Sequence, residues 1–326
     1  MRQWLKVVLA GVAVGLLALS GCELFNGDQS PVARINASKT EGYAPMTVTL
    51  DASGSEDPDG DTLTYSWTLG SEGTENGEVV THTFSAGTHA VTLRVTDPAG
   101  DTASSTITLT VHEVPNGYVV YEYSWTSPEG VDRMTEIPLP YALYMTYRGR
   151  IRNPLVDNYD YADYVLDPLD DPTLEDVAAV LQEYVSTDLA YAKEALAFVQ
   201  GAIRYEVDPA GEEWPLYPLE TLVDGSGDCE DSAILYVSLL CAVGIEPKLA
   251  FVDTDDDGTP DHVLALVPIS SQSSLSGSCG SAAVTVFTLD GTMYAVAEST
   301  GRSGVVGLGC DPWALTTADI AETWSF

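Results

Sequence analysis

The stretch Gly225-Ser226-Gly227-Asp228-Cys229-Glu230-Asp231-Ser232 sets a cysteine directly behind a glycine-rich turn. A helical pattern follows it to Val243, and Gly244 stops the pattern. Cys229 therefore falls on the first turn of a helix. Unpaired backbone N–H groups and the positive end of the helix dipole favour its thiolate there. The thiolate is the nucleophilic form. Three acids, Asp228, Glu230 and Asp231, crowd the sulfur. Negative charge opposes thiolate formation. The acids must then point away, cap the helix or share a cation.

Working outward, a base and an orienting group are needed. Beyond residue 112 the only histidine is His262, which opens the apolar run His262 to Val267. Glu298 closes the run Met293 to Glu298. Leu249 to Val252 pairs with the His262 run as two strands, and Val284 to Leu289 pairs with Met293 to Glu298 about an Asp290-Gly291 turn. Leu189 to Tyr205 is an amphipathic helix, with Leu189, Ala192, Leu196, Val199 and Ile203 on one face. Helices followed by an antiparallel sheet give an α+β layout. Between the two central strands lie Asp253, Asp255, Asp257 and Asp261, with Gly258 among them. Their spacing matches the first half of an oxygen-ligand Ca²⁺ loop, but Leu264 stands where an EF-hand has its glutamate. A solvated hairpin tip is the alternative. No organic cofactor motif is present. Cys241 sits among Leu239, Leu240 and Val243 and reads as buried. Cys279 and Cys310 lie in glycine-rich loops and are expected to form a disulfide if the chain is exported.

The rest of the chain bounds the setting. A net charge of −36 argues against nucleic acid as a partner, since phosphates would be repelled. Arg2 and Lys6 precede an apolar run from Val7 to Leu19, the layout of a secretory signal. Residues 31–112 alternate apolar and polar residues in short runs, such as Met46 to Leu50 and Leu63 to Leu69, and read as an all-β sandwich. Residues 113–188 read as a lead-in segment rich in proline and tyrosine. In it Thr173 is expected to cap a helix from Leu174 to Val185.

Three resemblances sharpen these readings. Leu19-Ser20-Gly21-Cys22 resembles the lipobox of bacterial-type lipoproteins. That implies a signal peptide over 1–21, a lipid anchor on Cys22, a tether over 22–30, and a protein facing the periplasm or exterior from an envelope membrane. Asp51 to Ser55, Asp57-Pro58-Asp59-Gly60-Asp61, Tyr65-Ser66-Trp67 and Val91 to Asp97 resemble the polycystic-kidney-disease (PKD) repeat, an immunoglobulin-like extracellular module. Gly227 to Asp231, the helix ending in Ala242 to Pro247 and the later histidine resemble the transglutaminase-like superfamily, which is papain-like. That resemblance implies a catalytic domain over 189–326 with Cys229 as nucleophile, His262 as base and later acid, and a carboxylate orienting the imidazole. This chain has Glu298-Ser299-Thr300 where the family carries an aspartate. Tyr217 is the oxyanion candidate beside the Cys229 backbone N–H. The expected activity is acyl transfer at an amide of a protein or peptide, as a cysteine protease or amidase. Crosslinking and non-enzymatic surface binding are the alternatives.

Overall fold

The computed structural model describes residues 28–150, 161–208, 215–255, 257–275, 279, 283–300 and 307–326. The predicted signal peptide and Cys22 lie outside them. The chain folds as two units. One runs to Glu41 and resumes over Pro45–Val111; the other holds Gly42–Ala44 and His112–Phe326.

The first unit contains two antiparallel sheets. One orders Asn36–Ala37 (β1), Met46–Asp51 (β2) and Val79–Phe84 (β5) as β1-β2-β5. The other contains Thr64–Leu69 (β3), Thr74–Asn76 (β4), Gly87–Thr96 (β6) and Thr102–His112 (β7), in the order β7-β6-β3-β4. The two-residue period of β2 buries Met46, Val48 and Leu50 while Thr47 faces out. Trp67 is fully buried, and its indole N–H donates to the Gly77 carbonyl at 2.9 Å.

The second unit starts with a hairpin, Tyr118–Thr126 (β8) against Asp132–Pro140 (β9). Among the described residues, helices follow at Tyr141–Arg148 (α1), Asp171–Gln182 (α2), Asp188–Ala202 (α3), Pro218–Asp224 (α4) and Cys229–Cys241 (α5), with a further single turn at Ala162–Val165. The sheet comprises Lys248–Val252 (β10), His262–Ile269 (β11), Val286–Leu289 (β12), Thr292–Ala297 (β13) and Ile320–Ser325 (β14). It is antiparallel throughout and ordered β12-β13-β11-β10-β14. The β12–β13 turn uses positive φ at Asp290 (49°) and Gly291 (84°), the backbone that an Asp-Gly pair supplies at a tight hairpin.

Helix α5 is the axis of this unit. Every residue from Glu230 to Leu240 is buried, so it has no solvent face. Its phenol at Tyr236 donates to the Ala192 carbonyl (2.9 Å), and Tyr191 donates back to Leu239 (3.0 Å), locking α3 to α5. The segment predicted as a lead-in shares this core. Tyr123, Trp125, Ile137 and Leu139 of the hairpin bury with Leu174, Val177 and Leu181 of α2 and with Phe198 of α3. The boundary expected at residue 188 therefore dissolves, because the hairpin's apolar face needs α3 to cover it. Thr173 does not cap α2 either. The helix starts at Asp171, three residues before Leu174, with Pro172, whose fixed φ suits a first turn, as its second residue, and Thr173 is buried within it.

Candidate active site

Cys229 opens α5, and the turn before it is shaped by Asp231. Asp231 is 1% exposed; its Oδ2 accepts from the Asp228 N–H (3.2 Å) and its Oδ1 from the Leu216 N–H (2.7 Å). It thus caps the helix and ties down the strand-like approach to α4. Gly227 permits this fold-back. A Cβ there would lie 2.6 Å from the Asp231 Cβ and 2.8 Å from its Oδ2, closer than real contacts allow.

The thiol meets β11 on its other side, where the Val263 backbone N–H points at the sulfur. His262, the preceding residue, is bonded through Nε2 to Glu298 Oε2 at 2.7 Å. Glu298 follows β13 and is 2% exposed. Its Oε1 accepts from both the backbone N–H (2.7 Å) and the hydroxyl (2.5 Å) of Thr300. Its backbone carbonyl accepts from Gln200 Nε2 of α3 at 2.6 Å. Burial would raise the Glu298 carboxyl. The His262 contact and the Thr300 donors outweigh it and hold the group below its ordinary range. Trp313 packs its ring 4.7 Å from the imidazole. Asp311 fixes the turn carrying Trp313 by accepting from the backbone N–H groups of Trp313, Ala314 and Leu315 at 2.6–3.1 Å. The neighbouring Cys310 is joined to Cys279 by a disulfide, Cα–Cα 5.2 Å. Cys229, His262 and Glu298 are therefore brought to one place. Thr300, Gln200 and Trp313 also shape it. Only Thr300 had a local signal, as a hydroxyl two residues beyond a carboxylate.

The acids beside the sulfur behave unequally. Asp231 is spent on capping. Glu230 does not point away: Cys229 Sγ donates to Glu230 Oε2 at 3.2 Å. Burial first, and the Glu230 charge second, push the thiol well above its ordinary value. Burial and a hydrogen bond to Asp228 push the Glu230 carboxyl up as well. The helix dipole that favours a thiolate is thus outweighed by its surroundings, which favour the neutral thiol.

Tyr217, the oxyanion candidate, sits in a ring stack. Its ring lies 4.3 Å from Tyr147 and 4.7 Å from Tyr164, with the Arg150 guanidinium 4.4 Å from its centroid. Those contacts pack the ring at the start of α4. In the acidic loop, Asp253, Asp255 and Asp257 bring carboxylate oxygens within 4.8 Å of one another. Asp261 instead accepts from the Thr254 hydroxyl (2.8 Å) and N–H (2.9 Å). Among the described residues no helix is long and apolar enough to cross a membrane.

Two family models match the chain in sequence: the PKD domain over residues 28–111 and the transglutaminase-like superfamily over 175–291. The chain carries a PKD domain followed by a transglutaminase-like domain. Cys229 and His262 lie inside the second match, and Glu298 lies just beyond it. Solved structures are similar at lower levels. The PKD1 domain of the Vibrio cholerae metalloprotease PrtV is 32% identical; the match spans 26% of this chain and 98% of that one, with a TM-score of 0.23. A structure from work on carbohydrate-binding modules of the β-sandwich superfamily is 22% identical over 33% of this chain, with a TM-score of 0.26. This chain covers about half, 53%, of that one. A provisionally assigned cysteine protease from Cytophaga hutchinsonii is 11% identical, covering 92% of this chain and 83% of that one, with a TM-score of 0.28. The assignment rests on the two sequence matches. The PKD domain is the β-sandwich of the first unit, and the transglutaminase-like domain is built on α5 and the five-stranded sheet.

Proposed function

We propose that the transglutaminase-like domain is a cysteine protease or amidase of exported proteins, held at an envelope membrane by an acylated Cys22. The observation that carries this reading is the 2.7 Å bond from His262 Nε2 to a buried Glu298, beside a thiol that touches the next residue of the same strand. With Nε2 committed to Glu298, Nδ1 is the ring nitrogen free to act as base. It takes the Cys229 proton as sulfur bonds to the amide carbon. The imidazolium then returns that proton to the leaving amine, and a thioester remains. Water attacks the thioester and releases the acid. An amine acceptor in place of water gives crosslinking, the alternative acyl transfer.

The neutral resting thiol suits a mechanism in which proton transfer and attack occur together on bound substrate. The same neutral thiol favours a second reading, in which the domain binds partners without catalysis. Iodoacetamide alkylation of the full chain across pH separates the two. The enzyme reading expects Cys229 to be labelled faster than Cys241, and this advantage to vanish in His262→Ala. Equal labelling of both thiols, unchanged in His262→Ala, would falsify it. Incubation of envelope proteins with wild-type and Cys229→Ala chains then identifies the cleaved or joined substrate. Lipidation belongs to the same proposal: fatty-acid incorporation in cells is expected for the wild type and absent in Cys22→Ser. So does Ca²⁺ on Asp253, Asp255, Asp257 and Asp261, for which a higher Tm with Ca²⁺ than with chelator is expected.

A further inference from the structure

Asp228, Cys229 and Glu230 form a cluster that catalysis alone does not explain. One ligand atom from each lies within 4.8 Å of the others. Asp228 is 4% exposed, and its Oδ1 is buried with no hydrogen-bond partner. Its side chain also serves the capping box that opens α5. Glu230 is 7% exposed and lies 3.2 Å from the sulfur. A buried, unpartnered carboxylate oxygen beside a second carboxylate and a thiol lacks a positive charge. Tetrahedral binding with a metal–sulfur bond of about 2.3 Å and a metal–oxygen bond of about 2.1 Å separates the two ligand atoms by roughly 3.6 Å. The observed 3.2 Å needs only a small opening.

We propose that these three residues bind a thiophilic divalent cation of the Zn²⁺ class, which masks the sulfur and so switches the site off. The masking half rests on the reading of Cys229 as the nucleophile; the binding half does not. A thiolate with two carboxylates selects soft or borderline ions over Ca²⁺ and Mg²⁺, which prefer oxygen alone. The Asp253 loop, made only of oxygen donors, would not compete for such an ion. As the metal–sulfur bond forms, the S–H bond breaks, and its proton and the one on the Glu230 carboxyl pass to solvent.

Cd²⁺ is the probe, because its bond to a thiolate gives a charge-transfer absorption in the ultraviolet. Titration of the full chain, disulfide intact and in excess Ca²⁺, is expected to show the band at one equivalent. Cys241→Ser should keep it and Cys229→Ser should lose it. Loss of a carboxylate ligand, in Glu230→Gln or Asp228→Asn, should weaken binding roughly 10-fold or more. Asp228 also begins α5, so Asp228→Asn risks misfolding; Glu230→Gln carries the test alone in that event. One equivalent of Zn²⁺ should also block iodoacetamide at Cys229, and chelation should restore it. A band that survives Cys229→Ser overturns the proposal. So does Glu230→Gln binding Cd²⁺ within threefold of wild type. Cd²⁺ bound through Cys229 in a chain without turnover supports the site and removes only the enzyme reading.

Discussion

Both donors of Thr300 fall on Glu298 Oε1, which leaves Oε2 for His262. That division predicts the effect of Glu298→Gln. The amide oxygen will take the place facing Thr300, because two donors await it. The NH₂ then faces His262 Nε2, which must accept rather than donate. The ring proton moves to Nδ1, where the base is needed, and the imidazole cannot take the thiol proton. By analogy with the wrong-tautomer effect in Ser-His-Asp enzymes, acylation by an activated ester should fall about 10³–10⁴-fold with little change in KM. A fall below tenfold would mean that Glu298 does not set the tautomer. The carboxylate's position was legible in sequence because it closes a strand next to the one His262 opens. Its anchoring by Gln200 was not, since the helix carrying Gln200 shows only its apolar period. The raised thiol was half legible. The acids were visible beside Cys229, but which one would reach the sulfur depended on Asp231 being taken up by two backbone N–H groups.

At the level of elements, the approach to α5 depends on a residue with no side chain. Gly227→Ala would drive a methyl into Asp231, so the cap must open or the turn must shift. The expected loss is about 1–3 kcal/mol by chemical denaturation. Iodoacetamide labelling of Cys229 should rise as the first turn loosens. A second element-scale prediction concerns Glu194, which is fully buried on α3. Its Oε1 takes the Trp125 indole N–H at 2.8 Å and forms an ion pair with Arg133 Nε at 2.7 Å, stapling the β8–β9 hairpin to the helix. Glu194→Ala strands a largely buried guanidinium and should cost about 3–5 kcal/mol. An apolar pair, Glu194→Leu with Arg133→Met, should recover most of it. Denaturation midpoints of the wild type and the two variants decide this; a single mutant as stable as wild type would show the staple to be idle. The first strand of this hairpin was legible from the alternation over Tyr118 to Trp125; the second, punctuated by Pro138 and Pro140, was not. Nor was the partner of the pair, because a period of two residues marks a buried face without saying what covers it.

Across the whole molecule the surplus of acid, 49 Asp and Glu against 13 Lys and Arg, was plain from composition, but not which acids lie inside. Asp170 is fully buried where α2 begins. Neither of its oxygens meets hydrogen-bond geometry, although the Leu219 N–H approaches. Burial, assisted by the charges of Asp167 and Asp171, raises its carboxyl from 3.8 to about 7. A carboxyl raised in the folded state holds its proton more tightly there than in the unfolded chain. Its contribution is complete below pH 3.8 and is lost as the pH climbs through about 7. Glu230, raised by the same burial, extends that loss further up the scale. Self-repulsion at a net charge of −36 acts in the same direction. The second unit should therefore melt at a lower temperature at pH 8 than at pH 5, unlike a domain whose carboxylates are mostly paired. Asp170→Asn removes the titrating group and keeps the volume. It should flatten the fall in Tm between pH 4 and 7 while leaving the fall above pH 7. A calorimetric scan at each pH, in high salt to screen the surface charge, isolates the buried term. An identical slope in wild type and Asp170→Asn would assign the whole pH dependence to surface charge and leave Asp170 ionised in the fold.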